Sequence, residues 1–163
     1  MRTEARHACA LAALGALFAA LVAWSAGRWT DPVIDFGFEL YVPWRLTEGD
    51  VLYRDIAYRN GPFSPYANAA VFAALGVSVR SLVVANLAVL AAIVALLYAL
   101  LARATSALGA FAGAAAVLCV CAFSQYGNVG NYDFATPYQH GQTHGLALGL
   151  GVVALCVRAL RAP

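Results

Sequence analysis

Asp133 is the only formal charge between Arg103 and Arg158, and it stands among Asn, Gln, Tyr and His side chains. An isolated carboxylate in an otherwise apolar half of a chain marks a functional site by default. Seven residues on, His140 and His144 are spaced to share one face of a helix. That spacing suits two metal ligands, but no third ligand accompanies them, so they are expected to cap a helix or to hydrogen-bond a polar ligand. The other concentration of reactive groups is the stretch 28–59, which holds ten of the eighteen charged residues and six of the eight acids: Asp31, Asp35, Glu39, Glu48, Asp50 and Asp55. Arg45, Arg54 and Arg59 lie among them, with an aromatic every few residues (Phe38, Tyr41, Trp44, Tyr53, Tyr58). This is the composition of an ordered surface pressed against a membrane, not of a flexible linker.

The elements that position these groups are set by composition. Of 163 residues, 63% are hydrophobic and 11% charged, with a mean hydropathy of +0.73, whereas a soluble domain carries about 25% charge. A water-soluble globular protein is excluded. So is nucleic-acid binding, because ten scattered arginines, no lysine and a net charge of +2 make no basic stripe for phosphates. Cys9, Cys119, Cys121 and Cys156 lie in apolar runs and read as small hydrophobes. The expected fold is a single all-α membrane module, 1–163, of about four transmembrane helices: 8–26, 81–102, 106–125 and 143–159. The first run is too long for the apolar core of a signal peptide and is flanked by Trp24 and Trp29 as interfacial anchors. In the last, Gly145, Gly149 and Gly151 suit close helix packing in lipid.

The apolar stretch 63–79 is read as a juxtamembrane helix rather than a span. Without it as a span, Arg2, Arg6, Arg103, Arg158 and Arg161 all fall on one side, which the positive-inside rule assigns to the cytoplasm. The external loops are then 27–80 and 126–142, which puts Asp133 on the same side as the acidic stretch. Within the first loop, Phe38, Tyr41, Val42, Arg45 and Leu46 have helical spacing, which predicts an amphipathic helix over 35–47 with Asp35 at its N-terminus.

The order of these features resembles the N-terminal part of polytopic GT-C glycosyltransferases, the group that includes protein O-mannosyltransferases and lipid A aminoarabinose transferases. The matching features are Asp35 after the first span, Gly49-Asp50 about fifteen residues later, Pro62 and Pro65 opening a second helix, Gly76 closing it, Arg80 heading the next span, and a later external acid at Asp133. Phe36 stands where many members carry a second acid, and Arg59-Asn60-Gly61 where a lysine is common. The resemblance implies sugar transfer from a polyprenyl-phosphate donor to an acceptor at the external face, with Asp35 and Asp133 as catalytic carboxylates and Asp35 as the base. Loss of hydration at the lipid boundary, and a second acid such as Glu39 or Asp133, would raise that base towards a useful range. Arg45, Arg54, Arg59 and Arg80 are then phosphate contacts, and Glu39, His140 and His144 complete the substrate-binding set. The alternative for the arginines is ion pairing: Arg54 or Arg59 with Asp55, and Arg45 with Glu48 or Glu39.

The expected partners are a lipid-linked sugar donor and membrane lipids. Because family members have more spans, a further C-terminal half or a partner subunit is expected too. No cofactor is expected; a divalent cation is compatible with the chemistry. The expected location is the bacterial inner membrane, multi-pass, with cytoplasmic termini. The competing reading is a non-catalytic scaffold or lipid-linked-sugar-binding subunit. A transporter would need polar groups near mid-bilayer, and the spans hold little beyond Asn86, Ser106 and Ser124.

Overall fold

The computed structural model describes residues 2–29, 33, 36–124 and 133–160. These form an all-helical chain: α1 (Arg2–Ser25), α2 (Gly37–Thr47), α3 (Phe63–Leu75), α4 (Val79–Ala104), α5 (Ala107–Ala116), which runs on into a π-helical segment Val117–Ala122, and α6 (His140–Ala159). Three of these helices are long and apolar enough to cross a membrane: Thr3–Ser25, Val79–Ala104 and His140–Ala159. The fourth expected span, 106–125, is a shorter apolar helix, Ala107–Ala122. Its sixteen residues measure about 24 Å at 1.5 Å per residue, less than the ~30 Å of a hydrocarbon core. α3 is shorter still at 13 residues.

Local chemistry sets the helix boundaries. Gly76 ends α3 with φ 84°, a left-handed conformation that glycine adopts without steric cost. Ser78 then caps α4, its hydroxyl accepting from Ser81 N at 3.1 Å, and Ser106 caps α5 by accepting from Gly109 N at 3.2 Å. Each serine satisfies an amide that the first helical turn leaves orphaned.

α4 is the central element and packs against α3, α5 and α6, while α1 packs on α5. Leu90, Val94 and Tyr98 of α4 meet Leu14 of α1 and Ala110, Ala114 and Leu118 of the α5 helix in the main core. A second cluster of Phe36, Phe72 and Leu82 joins α2, α3 and α4. The contacts also fix direction. His7 Nδ1 lies 2.9 Å from the Tyr98 hydroxyl near the end of α4, whereas Phe18 meets Phe123 beyond the π-helical segment. α1 therefore runs antiparallel to α4. α6 starts beside Asn86 and packs along α4, which carries Arg158 towards the end that holds Arg6 and Arg103. The opposite end gathers α2, α3, the 49–62 segment and Asp133.

Two expectations change in detail. Helix α2 forms, but its buried residues are Glu39, Val42 and Pro43, while Phe38 and Tyr41 are exposed. The acid, not the aromatic pair, faces inward, because His140 stands there to receive it. In α6, a Cβ built on Gly145, Gly149 or Gly151 meets nothing within 4 Å. α6 buries only His140, Thr143 and His144, all in its first turns, so its glycines lie off the packed face. Gly113 is the close approach instead: a Cβ there would sit 2.6 Å from Leu101 Cδ1 across the α4–α5 contact.

Gly113→Leu is therefore expected to overpack the α4–α5 interface at a cost of about 1–3 kcal/mol and to lower the melting temperature in detergent. Gly151→Leu is expected to leave it unchanged. Equal melting temperatures for the two variants would refute this placement of the helices.

Candidate functional site

The site is built around an imidazole. His140, the first residue of α6, is fully buried, and each ring nitrogen meets side chains from other helices. Nδ1 lies 2.8 Å from Glu39 Oε2 of α2 and 2.8 Å from Asn68 Nδ2 on α3. Nε2 lies 2.8 Å from Asn86 Nδ2 of α4. The ring packs edge-on against Phe36 and is stacked with His144, centroids 6.1 Å apart. His144 Nδ1 in turn lies 2.9 Å from the Ser64 hydroxyl of α3. Four helices thus converge on one buried polar junction.

Each contribution follows from its helix. Glu39 turns inward one turn ahead of Val42 and Pro43. Pro43 has no N–H, so it gives the Glu39 carbonyl no i→i−4 bond. Ser64 and Asn68, four apart, share a face of α3 and meet His144 and His140, which share a face of α6. Asn86 also donates to the Ala135 carbonyl at 3.0 Å, while its Oδ1 is buried without a hydrogen-bond partner among the described residues. An orphaned buried acceptor costs about 1–3 kcal/mol, so the donor side alone holds this amide.

Asp133 is buried behind the junction. Its carboxylate accepts from Ala135 N at 2.8 Å and Thr136 N at 2.6 Å, and from the Thr136 hydroxyl at 3.1 Å. Phe134 N donates to Ala122 O, tying the segment to the end of the π-helical turn. Asp133 thereby shapes the 133–136 turn whose Ala135 carbonyl anchors Asn86.

Glu39 also lines a cavity of about 870 Å³ with Phe38, Tyr53, Tyr58, Arg59 and Tyr138. The 49–62 segment forms its outer wall, braced by internal bonds. Arg45 Nε donates to Asp50 Oδ2 at 2.7 Å, the Tyr53 hydroxyl donates to Asn60 O at 2.6 Å, and Asp55 accepts from Val51 N at 2.8 Å. Tyr53 holds φ 69°, a left-handed conformation uncommon outside glycine. Val42, Leu52 and Ile56 seat the segment on α2. Burial, together with the nearby Glu39 charge, raises the Tyr58 phenol above its ordinary value, so Tyr58 faces the cavity as a neutral group able to donate a hydrogen bond.

Of the residues singled out from sequence, Glu39, His140 and His144 come together, with Arg59 lining the cavity beside Glu39 and Asp133 in the turn whose Ala135 carbonyl meets Asn86. Arg45 pairs with Asp50 rather than with Glu48 or Glu39, because the Gly49 turn (φ 99°) folds Asp50 back onto it. Arg54 pairs with Asp55. Arg80 is exposed in the first turn of α4. Asp35, Asp31 and residues 125–132 lie outside the described residues. Among the described residues, no three His, Cys, Asp or Glu side chains gather to hold a metal ion. Sequence reasoning passed over Asn68 and Ser64 as ligating groups. The available signal was the cost of amides and hydroxyls in apolar helices, which demands polar partners.

Two outcomes are expected here. Asp133→Ala leaves the Ala135 and Thr136 amides without their acceptor, at about 1–3 kcal/mol each, and should speed hydrogen exchange at both residues by tenfold or more; unchanged exchange would remove Asp133 from this role. The second concerns Asp55, whose carboxyl is held below its ordinary value, first by the Arg54 hydrogen bond and then by Val51 N–H. A depressed folded-state value means that the bond contributes at neutral pH and is lost as pH falls through that value. The Val51 amide resonance should therefore titrate below the usual aspartate range; a midpoint at the ordinary value would contradict the bond.

Searches against protein-family models, curated proteins and solved structures returned no match for this chain.

Proposed function

We propose that the chain is a GT-C-like glycosyltransferase module, transferring a sugar from a polyprenyl-phosphate donor to an acceptor at the external face of a bacterial inner membrane. The observation that carries this reading is the cavity in which a buried carboxylate, hydrogen-bonded to a buried imidazole, faces an arginine and three tyrosines at one end of an apolar bundle. Group transfer from a lipid phosphate needs a proton acceptor, a cation for the departing phosphate and a site open to both lipid and water. Arg59 supplies the cation in the cavity that Glu39 lines, and Glu39, hydrogen-bonded to His140, is the second acid of the site. Asp35, four residues ahead of Glu39 in sequence, is the proposed base, and Arg59 the phosphate contact.

In this reading α1, α4, the α5 helix and α6 are four spans, the shorter α5 helix being matched by local thinning of the bilayer. α2 and α3 lie in the outer interface, with the exposed Tyr41, Trp44, Phe63 and Tyr66 at headgroup depth. Arg6, Arg103 and Arg158 mark the cytoplasmic side, which also holds the termini. The open glycine face of α6 would take a helix of a further C-terminal half or partner subunit.

One observation favours the second reading, a non-catalytic subunit that binds a lipid-linked sugar. The Asp133 carboxylate is engaged by its own turn, and Arg45 and Arg54 are paired with neighbouring acids, so several of the charged groups stabilise local structure. A single preparation in nanodiscs separates the two readings, with donor binding and sugar transfer measured on polyprenyl-phosphate-linked sugars. For the enzyme, Asp35→Asn should abolish transfer with donor binding retained, and Arg59→Ala should weaken donor binding about tenfold or more. Binding without transfer in the wild type would establish the scaffold; neither binding nor transfer would refute both.

A further inference from the structure

The amide of Asn86 determines where the proton of His140 sits. Asn86 Nδ2 lies 3.0 Å from the Ala135 carbonyl and 2.8 Å from His140 Nε2. A carbonyl oxygen can only accept, so the atom facing it must be the amide NH₂ and not the amide oxygen. The second hydrogen of the same NH₂ then points at Nε2, which must accept. Turning the amide over would trade two hydrogen bonds for one and set oxygen against oxygen. A neutral imidazole carries one proton, which is therefore on Nδ1, directed at Glu39 Oε2 2.8 Å away. The Asn68 amide, placed with Nδ2 2.8 Å from Nδ1, would set donor against donor in this tautomer, so it must be turned over to present its oxygen to that proton; the two ends of an amide are told apart by their partners.

We propose that Asn86 is the positioning residue of the Glu39–His140 couple, locking His140 as the neutral Nδ1–H tautomer and tying that state to the 133–136 turn. The lock has a second position built into it. A proton arriving at Nε2 would face the Asn86 NH₂, donor against donor, and is accommodated only if the amide turns to offer Oδ1. That oxygen is buried without a partner among the described residues in the locked state. Turning it releases the Ala135 carbonyl, and with it the turn that Asp133 shapes. Among the described residues, the titratable groups meeting His140 are Glu39 from α2 and His144 from α6, and Asp133 lies in the connecting segment whose Ala135 carbonyl meets Asn86. Asn86 decides which nitrogen a proton occupies. The inference holds whether or not the cavity handles sugars.

The test is ¹⁵N NMR of the full chain with labelled histidine in nanodiscs at neutral pH, His140 being assigned by comparison with His140→Gln. Wild type should show Nδ1 protonated and Nε2 unprotonated. Asn86→Asp replaces the donor by a pure acceptor and should put a proton on Nε2, while hydrogen exchange at Ala135 and Thr136 accelerates. A protonated Nε2 in wild type, or an Nε2 that stays bare in Asn86→Asp, would overturn the proposal. If Asn86→Asp does not fold, the wild-type spectrum decides alone. These readouts are independent of donor binding and of transfer, so they succeed or fail separately from the glycosyltransferase reading.

Discussion

Burying an imidazole against a carboxylate inside an apolar bundle is the constraint around which the rest of this protein is arranged. An ionisable group removed from water is tolerated only when its polar atoms are satisfied, and an ion pair stripped of one partner is strongly destabilising. His140 has two ring nitrogens pointing in divergent directions, so no single neighbouring helix can serve both. α2 brings Glu39, α3 brings Asn68 and α4 brings Asn86. The apolar clusters then close around the junction: Phe36, Phe72 and Leu82 fill the space between the same three helices. Apolar burial is nondirectional and leaves rotation of these helices loosely specified. The hydrogen bonds to one ring fix it.

That division explains what could be read from the sequence. Uncharged runs located α1, α4 and α6, and the prolines, Gly76 and Arg80 marked α3, because these signals are local: span length, proline at a helix entry, glycine where φ is positive. The spacing of Phe38, Tyr41 and Leu46 predicted helix α2 but not its inward face, since Glu39 and Val42 are spaced as helically. Nothing local says which stripe faces the core when aromatic groups are also welcome at an interface. The partner of Glu39 lies 101 residues away, and the Asn68–His140 contact spans 72. His140 and His144 were recognised as a pair on one helix face, but their partners on α3 were not, because Ser64 and Asn68 each look unremarkable in an Ala-rich helix. Asp133 stood out by its isolation; that it turns its own backbone, through the amides two and three residues on, is a feature of loop geometry that spacing alone does not reveal.

The two ends of the bundle differ in kind. A cavity of about 940 Å³ at the Arg6 end is bordered by Arg6, His7, Thr105 and Ser106 and otherwise mostly by alanine, leucine and phenylalanine. Among the described residues, no acid lines it. The cavity at the other end has Glu39, Arg59 and the tyrosines. The Arg6 end also holds Arg103, Arg158 and Glu4, an excess of base, whereas acids outnumber arginines in the sequence of the other; the positive-inside rule associates such an asymmetry with a fixed orientation.

The depth of the junction narrows the kind of function it can serve. Asn86 lies seven residues into a helix of 26, about 10 Å from its start at 1.5 Å per residue, and His140 opens α6. The middle of α4, from Leu87 to Val94, is apolar, as is α6 from Leu146 to Val153. A solute crossing the membrane would need polar groups at mid-depth, where alternating-access proteins place their sites; here the polar groups stop short of it. A molecule held at this junction would have its polar part at the mouth of the bundle and any lipid tail beside α4 and α6, whose outward Val84, Leu148, Val152 and Leu155 are exposed. On the proposed reading, that arrangement would suit a substrate divided between an aqueous headgroup and a hydrocarbon tail, the chemical form of a lipid-phosphate-linked sugar.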